Sequence, residues 1–145
     1  MTRRLLALVL APVLLLGFAG CGSDGGDALS ADDYKAEANK VCEGGQARAE
    51  AIGKSLGDDP TEEEVTAALE KLADEVQGQV DDIRALQGPD DLESDVHEVL
   101  DDADDQLDDL RAKAKEDPMA AAESPAFDEI NERLVDLGLD TCGAD

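Results

Sequence analysis

Few side chains of this sequence have the types and spacing that catalysis or metal binding requires. The single histidine, His97, lies on an acidic segment, where we predict that it faces solvent near Glu93 and Asp101. Di-iron helical bundles use Glu-x-x-His twice, whereas Ser94 stands three residues before this histidine. The run from Asp101 to Asp109 lacks the glycine and the twelfth-position glutamate of an EF-hand loop. With no nucleophile elbow or phosphate-binding fingerprint either, the sequence predicts no enzyme, no cofactor and no specific metal site.

The remaining chemistry belongs to the cysteines, and the first of them ends a segment that is typical of a secretory signal. Arg3-Arg4 precede the apolar run from Leu5 to Leu16, and Phe18-Ala19-Gly20-Cys21 follows. Basic residues, a short apolar run and small residues at a cleavage site are the parts of such a signal, and the run is too short to span a bilayer. Ordinary cleavage with free secretion is the alternative, but the bulky Phe18 suits an A-x-A site poorly.

Phe18-Ala19-Gly20-Cys21 resembles the lipobox of bacterial lipoproteins, although Phe18 stands where leucine is commonest. The resemblance implies removal of residues 1–20 as a signal peptide and thioether attachment of a diacylglycerol to Cys21. It also implies a further amide-linked acyl chain such as palmitate. Residues 21–29, which are rich in glycine and aspartate, then form a flexible tether. We therefore expect a lipid anchor on the extracytoplasmic face of the cell membrane.

The charge of the chain restricts its partners. The net charge is −25, and removal of Arg3 and Arg4 with the signal peptide leaves 10 basic residues against 37 acidic ones, or −27. Such a surface repels nucleic acid and anionic headgroups. We therefore expect contact with the membrane through the lipid anchor alone, no binding of nucleic acid, and a monomer.

Apolar residues spaced three and four apart predict four helices between residues 30 and 145. The apolar stripes run from Tyr34 to Leu56, from Val65 to Leu86, from Leu92 to Ala114 and from Phe127 to Leu137. The predicted fold is an all-α, up-down bundle of three long helices and a shorter fourth.

The predicted helix boundaries come from residues that favour caps. Ser30, Asp59 before Pro60, and Ser124 before Pro125 are the expected N-terminal signals of the first, second and fourth helices. Gly138 followed by Leu139 predicts a Schellman ending. Gly44-Gly45 inside the first helix predicts a close helix approach or a kink.

Cys42 and Cys142 remain as a pair, and in an exported protein we expect them to form a disulfide. Helix lengths agree with this pairing. A fourth helix of about 13 residues, or roughly 20 Å, would start level with Leu56 and end level with Cys42 if the helices alternate in direction.

The short fourth helix leaves one end of the predicted bundle with three helices. Tyr34, Ala38, Leu92 and Val96 lie at that end. We expect residues 139–145 to cover them, or, as the alternative, a shallow groove that binds a ligand or a partner.

The chain as a whole is similar to small helical, single-disulfide lipoproteins of high-GC Gram-positive bacteria, a largely uncharacterised group. The similarity rests on the lipobox, Val41-Cys42, Gly88-Pro89-Asp90-Asp91-Leu92 and the terminal segment from Gly138 to Gly143. It implies a fold and a location but no activity. Our first functional hypothesis is a non-catalytic domain that binds an envelope protein or another envelope component. The alternative is a binder of a small ligand or of a divalent cation.

Overall fold

The computed structural model describes residues 28–124 and 126–144. In these residues the chain forms five helices and no strand: α1 (Ala31–Ser55), α2 (Glu62–Arg84), α3 (Asp90–Glu116), α4 (Pro118–Ala122) and α5 (Asp128–Asp136). The all-α fold with three long helices and one disulfide is confirmed. The predicted signal peptide, Cys21 and the tether as far as residue 27 lie outside the described residues. None of the helices described is long and apolar enough to cross a membrane.

Helix α1 begins where the sequence predicts. The Ser30 hydroxyl oxygen accepts a hydrogen bond from the Asp33 backbone N–H (3.2 Å), which satisfies one of the free amides of the first turn. The helix then continues unbroken through Gly44-Gly45 to Ser55. A Cβ on Gly45 would stand 2.0 Å from the side chain of Gln79 in α2. The glycine therefore permits close approach of the two helices rather than a kink.

The predicted start of the second helix at Asp59 is wrong. The N-cap is Thr61, whose hydroxyl accepts from the Glu64 backbone N–H (3.3 Å), while the Glu64 carboxylate accepts from the Thr61 N–H (2.9 Å). This reciprocal capping box satisfies two backbone donors, and it stands two residues after the box of Asp59 with Glu62 that the sequence predicts. The Thr61-x-x-Glu64 pattern therefore decides where α2 begins.

The segment after α3 also differs from the prediction. Asp117 accepts from the Ala120 backbone N–H (3.0 Å) and begins the five-residue helix α4, which is additional to the four predicted helices. The cap predicted at Ser124 and Pro125 is wrong, because Phe127 is the N-cap of α5 and gives no side-chain hydrogen bond. The fourth of the predicted helices is therefore shorter than expected, with 9 residues.

The long helices pack in sequence order, α1 on α2 and α2 on α3. The start of α1 lies beside the end of α2, since the Leu29 backbone N–H donates to the Gln87 carbonyl oxygen (2.7 Å). Helix α4 rests on both α2 and α3 at the far end, while α5 packs mainly on α3. Helix α5 therefore lies on the α3 side of the bundle, and the residues after it lead back to α1.

The apolar interior divides into two clusters. The larger one contains Tyr34, Cys42, Val96 and Leu139 among its members, and a smaller one at the far end consists of Val65, Leu69, Ala114 and Ala121 with Leu110 at its edge. Apart from the Tyr34 hydroxyl, no polar or charged side chain belongs to a buried residue in the part of the chain that the structure describes. The acidic side chains of that part therefore lie at the surface.

Arginines from neighbouring helices pair with the acidic helix α3. Arg84 of α2 reaches Asp101 (2.5 Å) and Asp104 (2.6 Å), and Arg133 of α5 pairs with Asp102 and Glu98. The hydrogen bond to Asp104 raises the pKa of Arg84 above its usual value. These exposed pairs contribute about 1 kcal/mol or less each, but they offset repulsion between aspartates along one helix.

Candidate functional site

Helix α5 ends in a turn that directs the last residues back across α1. Gly138 has φ +85°, a left-handed conformation that glycine adopts without strain. The Gly138 N–H donates to the Val135 carbonyl (2.8 Å), and the Leu139 N–H donates to that of Leu134 (2.9 Å). This is the hydrogen-bond pattern of a Schellman motif, as predicted. We call residues 139–144, which follow it, the C-terminal strap.

The disulfide between Cys42 and Cys142 is confirmed. It joins α1 to the C-terminal strap with a Cα–Cα distance of 5.0 Å and a sequence separation of 100 residues. Cys42 is buried and Cys142 is partly exposed.

Two amide side chains of α1 hold the strap on either side of the disulfide. Asn39 donates to the Gly138 carbonyl (3.2 Å) and accepts from the Thr141 N–H (2.8 Å), and Gln46 donates to the Thr141 carbonyl (2.8 Å). Asn39, Cys42 and Gln46 are spaced three and four residues apart, which places them on one face of α1. Sequence reasoning missed these two amides, although their spacing around Cys42 was a visible signal.

The groove considered for Tyr34, Ala38, Leu92 and Val96 is closed. Tyr34, Ala38 and Val96 have 0% exposed surface, and Leu92 is only partly exposed. Leu139 of the C-terminal strap is itself completely buried and belongs to the same apolar cluster. The expected cover by the terminal residues is therefore present, and the groove hypothesis was wrong because the chain turns back after α5.

Tyr34 is completely buried, and its hydroxyl group has no hydrogen-bond partner in the described part of the chain. A Cβ on Gly88 would stand 2.5 Å from the tyrosine ring. Burial raises the pKa of Tyr34 above its usual value, and the negative charge of Glu93 raises it further. Tyr34 therefore serves the core and offers no accessible surface to a ligand.

A cavity of about 240 Å³ lies between α1, α2, α3, α5 and the C-terminal strap. The buried residues at its base are apolar and come from three helices: Val80, Ile83, Leu100, Ala103, Ile130 and Leu134. The disulfide cysteines line it as well. The disulfide therefore forms part of the wall, so the cysteine pairing and this cavity belong to one site.

Small residues and the placement of α5 explain why the space is open. Gly45 and Ala49 of α1 and Ala103 of α3 line the cavity with little or no side chain. Helix α5 packs on α3, and the larger side chains with which it lines the cavity, Ile130 and Leu134, leave the space unfilled. Sequence reasoning missed the cavity, because a small residue in an apolar stripe looks the same whether it faces a neighbour or an empty space.

The rim of the cavity is polar but uncharged. Gln46, Gln79, Asn131 and Thr141 are partly exposed and supply amides and a hydroxyl. None of the 17 lining residues is charged, although 34% of the chain is charged. The site can therefore hold an apolar group by burial and a neutral polar group by hydrogen bonds, but it has no ion pair to offer.

His97 has one ring nitrogen in an unexpected position. Its Nε2 atom is enclosed and has no hydrogen-bond partner among the described residues, so the side chain that we predicted to face solvent does so only in part. Glu93 and Asp101 lie in the same surface depression, as expected. In the described ranges, no group of three or more histidine, cysteine, aspartate or glutamate side chains is arranged to hold a metal ion. This depression is therefore a weaker candidate for a functional site than the apolar cavity.

Comparison with known proteins returned no match: no protein-family model, no curated protein and no solved structure matches this chain.

Proposed function

We propose that this chain is a non-catalytic lipoprotein of the extracytoplasmic membrane face that binds a small apolar molecule, or the apolar part of an envelope component, in the cavity beside the disulfide. The observation that carries the proposal is the uncharged cavity of about 240 Å³. For comparison, a dry engineered cavity of about 150 Å³ binds benzene. The larger cavity therefore has the volume and the apolar surface that binding needs.

The location is supported by the sequence. In this proposal residues 1–20 are a signal peptide, Cys21 carries the lipid, and residues 21–29 are the tether that leads to the bundle. The disulfide agrees with an exported protein, because such bonds persist outside the reducing cytosol. Mass measurement of the native protein tests this part. An unmodified Cys21 or a retained leader would refute it.

The cavity is tested by filling it. Ala49→Phe introduces a ring at a lining position, whereas Ala51→Phe introduces the same ring on an exposed position about 200° around the helix. We expect an uncharged naphthalene dye, whose emission shifts in apolar surroundings, to bind the unmodified protein and Ala51→Phe alike. Binding to Ala49→Phe should fall at least about tenfold, because the ring occupies the space of the dye.

A milder substitution, Ala49→Leu, covers the case in which the phenylalanine disturbs folding, and far-ultraviolet circular dichroism verifies the helices of each variant. Equal dye affinity in the unmodified protein, Ala49→Leu and Ala49→Phe would refute the cavity as the binding site. A matching loss in Ala51→Phe would also count against it, because that change leaves the cavity untouched.

A further inference from the structure

The shape of the cavity restricts what it can hold. Lining residues extend over seven residue steps on α2, from Val76 through Val80 to Ile83, and over seven steps from Phe127, the N-cap of α5, to Leu134. At 1.5 Å per residue this is about 10 Å along the bundle. A volume of 240 Å³ spread over that length makes the space long and narrow, which suits a single hydrocarbon chain.

The volume also limits the length of that chain. Scaling from the cavity of about 150 Å³ that holds the six carbons of benzene, a volume of 240 Å³ accommodates about ten carbons. Apart from the partly exposed Phe127, the apolar lining is aliphatic or sulfur-containing. A flexible aliphatic chain matches such a surface better than a rigid ring system does.

The charges around the cavity decide what polar group the chain can carry. No lysine, arginine or histidine lines it, and the chain as a whole carries −25. A carboxylate or phosphate at the rim would therefore meet repulsion and find no cation to pair with. An uncharged head group at the rim experiences no such repulsion.

The rim provides suitable partners for an uncharged head. Asn131 lies on α5 beside the C-terminal strap, and its side-chain amide makes none of the hydrogen bonds found among the described residues. Gln79 uses its amide N–H on the Glu75 carbonyl (3.3 Å), which leaves its side-chain oxygen as an acceptor. A hydroxyl-bearing head can both donate to and accept from these groups.

We propose that the ligand of this cavity is a single-chain amphiphile with an aliphatic tail of about ten carbons inside the cavity and an uncharged, hydroxyl-bearing head at the rim near Asn131. The proposal rests on the proposed function, since it names the ligand class of the same site. It excludes anionic fatty acids and two-chain lipids held entirely within the cavity as preferred ligands.

The test is displacement of the naphthalene dye from the unmodified full-length protein by 1-hexanol, 1-octanol, 1-decanol and 1-dodecanol, and by sodium decanoate, each below its aggregation concentration. Affinity should rise about fourfold per methylene as far as decanol and change less than about twofold from decanol to dodecanol. Decanoate should bind at least about tenfold more weakly than decanol at low salt, and the difference should narrow at high salt. Asn131→Leu should weaken decanol by about two- to tenfold.

The outcomes separate the ligand class from the site. Decanoate binding as tightly as decanol, or affinity that keeps rising fourfold per methylene to dodecanol, would overturn the ligand class while leaving the cavity as a binding site. An Asn131→Leu variant with unchanged decanol affinity would overturn the position of the head. If neither dye nor alcohol binds the unmodified protein better than Ala49→Phe, the proposed function itself is refuted.

Discussion

Removal of the Cys42–Cys142 disulfide should greatly lower the unfolding free energy of this protein. The bond joins residues separated by 100 positions, and in the chain-entropy model a closed loop of that size stabilises the folded state by about 4.7 kcal/mol at 25 °C. Domains of this size unfold with about 5–15 kcal/mol. The double variant Cys42→Ala/Cys142→Ala should therefore lose between a third and nearly all of its stability.

The native structure itself should change little in that variant. The C-terminal strap keeps its other contacts, because Leu139 is completely buried and Asn39 bonds both Gly138 and Thr141. Most of the effect should therefore come from the unfolded state, which expands when the cross-link is absent. In urea denaturation followed by circular dichroism, the midpoint should fall and the dependence of unfolding free energy on urea should become steeper.

Two controls make this result interpretable. Because protein produced without the lipid would carry a third thiol at Cys21, Cys21→Ser is included in every protein of this experiment. Chemical reduction of the protein that keeps Cys42 and Cys142 removes the bond without removing either sulfur atom. Both routes should give the same loss. A loss below about 1 kcal/mol by both routes, well under the value for a loop of this length, would refute the loop-entropy reasoning. A large loss in the alanine variant alone would assign the effect to packing at Cys42.

Three further predictions concern single side chains. Gly88→Ala should lower the unfolding free energy by about 1–3 kcal/mol through overpacking, since its Cβ would stand 2.5 Å from the buried Tyr34 ring. Its control, Gly78→Ala, meets no atom within 4 Å and should stabilise α2 by up to about 1 kcal/mol. Urea midpoints of the two variants that move in the same direction would contradict this prediction. Tyr34→Phe should raise stability by about 1 kcal/mol, because it removes a buried hydroxyl that has no partner in the described residues; a clear loss in the same assay would show that the hydroxyl has a partner. Hydrogen bonds from Thr61 lower the pKa of Glu64 in the folded protein. The unmodified protein should therefore be more stable than Glu64→Ala by an amount that is complete above the unfolded-state pKa of Glu64 and fades as the pH falls through the lower folded-state pKa. Thermal melts that show the same difference between the two proteins at pH 7 and at pH 3 would contradict this prediction.

The sequence was sufficient for features that depend on local patterns. The apolar stripes placed the three long helices, and Gly138 followed by Leu139 indicated how α5 ends. The pairing of Cys42 with Cys142 followed from helix lengths and from the number of cysteines left after Cys21. Each of these signals lies within a few residues or is a simple count, and tertiary packing did not alter it.

The sequence was insufficient where several local choices compete or where distant residues meet. Asp59 and Thr61 are both good helix caps with a glutamate three residues later, so the local pattern does not choose between them, and the structure forms the box of Thr61 with Glu64. Two arrangements over Tyr34, a cover by residues 139–145 and a groove, were left open by the sequence, and the burial of Leu139 decides for the cover. The cavity depends on Ala49 and other small residues, on different helices, facing one space.

An open apolar cavity lowers the stability of a domain with a core as small as this one. In large-to-small substitutions a cavity costs about 24 cal/mol per Å³, so a fully enclosed space of 240 Å³ would cost at most about 6 kcal/mol, a value comparable to the whole stability of a small domain. A leucine at Ala49 would fill part of this space with no change in the helix. The same chain stabilises the wall of that space with a disulfide and with the hydrogen bonds of Asn39 and Gln46. The cavity therefore lowers the stability of the fold, yet the disulfide and these hydrogen bonds fix its wall. Such a fixed wall is what a preorganised binding site requires.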